Sequence, residues 1–100
     1  MKFRFTFTKP EDGTTVDIEG GRTALWDAQE EAADWPERPT NASRLDFAWA
    51  YFAAKRAGRL GELGVDGMGV SEAIDAIADA YDVSIRDNKP EAPLGDARPE

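Results

Sequence analysis

The apolar positions of the chain change their period once. In "KFRFTFT", residues 2 to 8, Phe3, Phe5 and Phe7 fall on one side of an extended segment, with Lys2, Arg4 and Thr6 on the other. That period of two marks a half-buried strand. Asp12-Gly13 follows as a hairpin turn signal, and "TTVDIEG" returns with Val16 and Ile18 on a common face. A β-hairpin alone is marginal in water, so this one needs helices over its phenylalanine face.

After Gly20 and Gly21 the spacing becomes helical. Thr23 is placed to cap a helix through "ALWDAQEEAADW", with Leu25, Ala28, Ala32 and Trp35 near one side, and Pro36 and Pro39 stop it. Ser43 and Asp46 are spaced like a capping box opening a second helix. Lys55 and Arg56 oppose the negative end of its dipole, and Gly58 is placed to end it. On this helix Leu45, Ala48, Trp49 and Phe52 form the stripe expected over the hairpin, while Phe47, Ala50, Tyr51 and Ala54 lie opposite. That second set either lies under the first or third helix or meets another protein.

The stretch "GRLGELGVDGMG" reads as a flexible connection. Its glycines are spaced suggestively, but it lacks the lysine and the following Ser or Thr of a phosphate loop, and no strand precedes it. Ser71 is then placed to cap a third helix, with Ile74, Ile77, Ala78 and Tyr81 on one face and Glu72, Asp75, Asp79 and Asp82 on the other. "DVSIR" offers a short further strand through Val83 and Ile85. The expected fold is α+β, a single domain over residues 1 to 86 in which the N-terminal β-hairpin packs against about three α-helices. Residues 87 to 100 are rich in proline and charge, with little to bury, and are expected to form a disordered acidic tail.

Composition narrows the chemistry. The chain has neither cysteine nor histidine, which removes disulfides, thiolate metal sites and the usual neutral-pH general base. No enzymatic activity, cofactor or metal is expected. The alternating N-terminus is unlike a signal peptide and no apolar run is long enough for a membrane span, so a cytoplasmic protein without membrane partners is expected. A net charge of -8 disfavours binding to nucleic acid. The charge is uneven: residues 41 to 59 carry a net +3 while the segments on either side are acidic. The acidic stripe of the third helix is therefore expected either to be solvated or to face Lys55, Arg56 and Arg59. A metal site there is disfavoured, because hard cations draw ligands from loops or several elements.

An "FRFTFT…DGTTVDIEG" hairpin, a Trp-bearing acidic helix, "WAYFAAKRAGRLG" and a short acidic helix before a proline-rich end together resemble the small tail assembly chaperones of long-tailed bacteriophages and prophages of actinobacteria. The likeness covers most of residues 1 to 86 and is most specific at residues 49 to 61. It implies a non-enzymatic protein of the host cytoplasm that keeps the long, helical, hydrophobic tape-measure protein soluble and helps recruit tail-tube subunits. Many members also have a longer form made by ribosomal frameshifting, and the segment after Asp87 sits where such an extension would join. The family has no fixed binding residues to carry over. The partner surface expected from the helix itself is Phe47, Ala50, Tyr51 and Ala54, against a tape-measure helix or an identical subunit. The alternative is an acidic DNA mimic or other small inhibitor protein of phage origin. A mimic needs carboxylates arrayed on one exposed face, and here the cationic segment interrupts them.

Overall fold

A computed structural model describes residues 2–87. Strands β1 (Phe3–Thr8) and β2 (Thr15–Gly20) form the hairpin. Helices α1 (Arg22–Ala32), α2 (Asn41–Arg56) and α3 (Val70–Ala80) follow, with a 3-10 turn at Leu60–Leu63 between the last two. Strand β3 (Asp82–Asp87) then returns to the sheet. The fold is α+β, with a three-stranded antiparallel sheet in the order β2-β1-β3. The tail expected over residues 87 to 100 lies, apart from Asp87 itself, outside the described residues.

The hairpin pairs as its alternation requires, with Phe3 opposite Gly20, Phe5 opposite Ile18 and Phe7 opposite Val16. Gly13 supplies the positive φ of the turn, and the Asp12 side chain accepts hydrogen bonds from the Thr14 amide and hydroxyl. These bonds, the hydroxyl's first, hold the Asp12 carboxyl below its ordinary range. The two apolar residues of "DVSIR" suffice for β3 because β1 offers a complete partner, setting Phe5 opposite Ile85 and Phe7 opposite Val83. Phe5, Phe7 and Ile18 are fully buried on the helix-facing side of the sheet.

Helix α2 is the centre of the domain, with the sheet beneath it, α1 along one side and α3 along the other. That position explains a helix that is apolar on nearly every side. Trp49 meets Phe3 and Phe5 edge-on, at 4.9 and 5.3 Å between ring centroids, as its place over the hairpin predicts. Of the expected core stripe Leu45, Ala48, Trp49 and Phe52, Ala48 is fully buried while the three larger side chains are only half-buried. The opposite set is buried more deeply: Ala50, Tyr51 and Ala54 are at most 2% exposed. Ala24 and Ala28 of α1 are buried as well, and these small side chains let α1 and α2 lie close together. Gly20 marks another close approach, since a Cβ there would stand 2.8 Å from the Ala53 Cβ.

Three expected caps are displaced. The helices begin after Gly21, Thr40 and Gly69, so Thr23, Ser43 and Ser71 all fall inside the first turn, and no side chain caps any of the three. The Ser71 hydroxyl instead accepts from Arg44. Gly58 does end α2: in a left-handed conformation, it allows the Arg59 amide to reach back to the Ala54 carbonyl at 2.9 Å. The glycine-rich connection is not loose throughout, because its Leu63 and Val65 are buried in the core. The chain must therefore be punctuated at Gly58, Gly64 and Gly67, all at positive φ, to turn these two apolar residues inward.

Candidate protein-binding surface

Three of the four residues expected to meet a partner are unavailable in this fold. Ala50, Tyr51 and Ala54 are buried within the chain, and Phe47 is half-buried in a shallow groove of about 230 Å³ with Ile74 and Ala78 of α3. Helix α2 packs against α1, α3 and the sheet, and together these supply the cover. Burial raises the pKa of the Tyr51 phenol, and the nearby Glu31 carboxylate of α1 adds to the shift.

The charges of α2 are also distributed differently from the expectation. Arg56 forms a two-pronged pair with Asp27 of α1, at 2.6 and 3.2 Å. That hydrogen bonding, aided by the positive charges of Arg56 and Lys55, holds the Asp27 carboxyl below its ordinary range despite partial desolvation. Arg59 pairs with Glu62 in the adjacent turn at 2.6 and 2.8 Å, which lowers the Glu62 pKa, and it also donates to the Asp17 carbonyl at 2.7 Å. The acidic stripe of α3 is met from the other end of α2. Arg44 binds the Asp75 carboxylate and the Ser71 hydroxyl, with its guanidinium 4.9 Å from the Trp35 ring centroid. This junction of α2, α3 and the loop after α1 encloses a groove of about 310 Å³. Among the described residues, no three acidic side chains converge as a metal site would require.

A larger groove of about 650 Å³ runs between α1 and the C-terminal half of α2. Its walls are Asp27, Glu30 and Glu31 on one side and Phe52, Lys55 and Arg56 on the other, with Val70 at the end. Lys55 lies over the Phe52 ring, 5.9 Å from its centroid. Beside this groove, Trp26 points outward from α1 and is 60% exposed. Helical spacing accounts for its direction, because Ala24 and Ala28, two positions to either side, face the core and so place residue 26 opposite. The Leu25, Ala28, Ala32 stripe already excluded Trp26 from the core, which was the available signal for it in the sequence. The groove and this tryptophan make an open, mixed apolar and charged surface suited to a protein segment.

No protein-family model, curated protein or solved structure matches this chain. No helix among the described residues is long and apolar enough to cross a membrane.

Proposed function

We propose that this protein is a non-enzymatic tail assembly chaperone of a long-tailed actinobacterial phage or prophage, which binds the tape-measure protein and assists assembly of the tail tube. The class rests on the resemblance in residues 49 to 61 and in the order of elements around them. The observation that carries partner binding is Trp26, a large aromatic held in solvent on the outer face of α1 beside an open groove. Tryptophan is the residue type most enriched at binding hot spots, and a long hydrophobic helix would supply apolar anchors for it. The acidic Glu30 and Glu31 at its side keep such a surface soluble when no partner is bound. The DNA-mimic alternative is weaker, because Asp27, Glu62 and Asp75 are engaged by arginines of their own chain rather than presented together.

Co-expression with the tape-measure protein of the same phage genome tests both statements. The full chain should keep the tape-measure protein soluble and co-purify with it, and Trp26→Ser should lose that co-purification at an unchanged melting temperature. A tape-measure protein that stays insoluble beside the wild-type chain would refute the chaperone function. Undiminished co-purification by Trp26→Ser would place the contact elsewhere.

A further inference from the structure

The two outer strands of the sheet differ in what occupies their free edges. On β2, the Arg59 guanidinium donates to the outward Asp17 carbonyl, so a side chain covers the middle of that edge. On β3, Val83 and Ile85 have no such cover among the described residues. The Lys9 amide donates to the Thr14 carbonyl, continuing a ladder in which the odd-numbered residues of β1 bond to β2. Even-numbered residues therefore bond to β3, and the alternation leaves the backbone N–H and C=O groups of Val83 and Ile85 directed away from β1.

The side chains of β3 are self-complementary. On the solvent face Arg86 lies directly opposite Arg4, an unfavourable like-charge pair, while Asp82 lies opposite the neutral Thr8. A second β3 laid antiparallel about Ser84 would set each Asp82 beside the Arg86 of the second copy. It would also set the half-buried Val83 against Ile85 on the helix-facing side. The same operation on β2 would bring two Asp17 carboxylates together. We propose that β3 is a self-association edge, through which two copies of this chain pair antiparallel about Ser84 and join their sheets into one of six strands. A single strand makes a small interface, so the association is concentration-dependent. It leaves α1 and Trp26 uncovered and is independent of tape-measure binding.

Sedimentation equilibrium of the full chain over a concentration series should show a species of twice the 11.0 kDa chain mass. Asp82→Arg and Arg86→Asp, each alone, would oppose like charges across the seam and should sediment as monomers. Mixed in equal amounts, the two variants regain both opposite-charge pairs and should associate again. Misfolding of either variant could not produce that recovery, and far-UV circular dichroism of each alone checks it directly. A wild-type chain that stays monomeric throughout the series would overturn the proposal. So would a dimer indifferent to both substitutions, or a mixture that fails to associate.

Discussion

Replacing Tyr51 and Trp26 by alanine, one at a time, separates core from surface among the aromatic residues. Tyr51 is 2% exposed and sits edge-on to Phe52 at 4.9 Å. A buried aromatic side chain removes about 150–250 Å² from water, which at about 25 cal/mol per Å² amounts to roughly 4–6 kcal/mol. Alanine retains a small part of that, and the surroundings only partly close the space left behind, so Tyr51→Ala should cost about 3–5 kcal/mol. Domains of this size are stable by about 5–15 kcal/mol in total, so the variant approaches the unfolding threshold. Trp26 makes little use of its ring within the fold, and Trp26→Ala should fall within about 0.5 kcal/mol of wild type. Urea unfolding followed by circular dichroism, at a fixed low chain concentration, is the assay. With a slope of roughly 1.5 kcal/mol per M, the Tyr51→Ala midpoint should lie about 2–3 M below wild type. A Tyr51→Ala midpoint equal to wild type, or a Trp26→Ala loss as large as that of Tyr51→Ala, would refute the assignment of these two faces.

Gly20→Ala should cost about 1–3 kcal/mol, because the new methyl would stand 2.8 Å from Ala53 and 3.1 Å from Phe5, and only movement of α2 off the sheet relieves that; pairing it with Ala53→Gly should recover part of the loss in the same urea assay. Stability should also fall at both ends of the pH range, as read from melting temperatures. Asp12, Asp27 and Glu62 have folded pKa values below their unfolded ones, so their contribution is present above about pH 4 and is lost as pH drops through the lower folded values. Tyr51 has a folded pKa above its unfolded one, so its contribution is complete below about pH 10 and is lost as pH rises beyond that. Tyr51→Phe should flatten the alkaline limb and leave the acid limb unchanged.

The hairpin was legible in detail because Phe3, Phe5 and Phe7 alternate strictly and Asp12-Gly13 fixes the register, so that a slip of one residue would turn every phenylalanine to solvent. Helix α2 was legible as a helix but not in its rotation. With aromatics at 47, 49, 51 and 52 and alanines between them, no polar face remains to set the phase, and packing of α2 against the other elements then decided it, burying Ala50, Tyr51 and Ala54. The candidate partner surface was misplaced for the same reason. Arg44 was overlooked because its partners Ser71 and Asp75 lie 27 and 31 residues away, and nothing local announces a pairing made only by tertiary packing. The caps failed at Thr23, Ser43 and Ser71 because capping propensity is a small local term, while the start of each helix is set by how its apolar side chains meet the core.

The strand order β2-β1-β3 bears on the timing of folding. The middle strand of the sheet is made first, and its second neighbour only after all three helices. A nascent chain can close the hairpin early, yet Phe7 waits for Val83 and Tyr81, more than seventy positions downstream, before that side of it is sealed. Such distant pairing slows the final step and leaves a partly assembled chain with apolar surface exposed. A protein whose proposed task is to shield another's hydrophobic helices thus passes through an interval in which its own phenylalanines are unguarded.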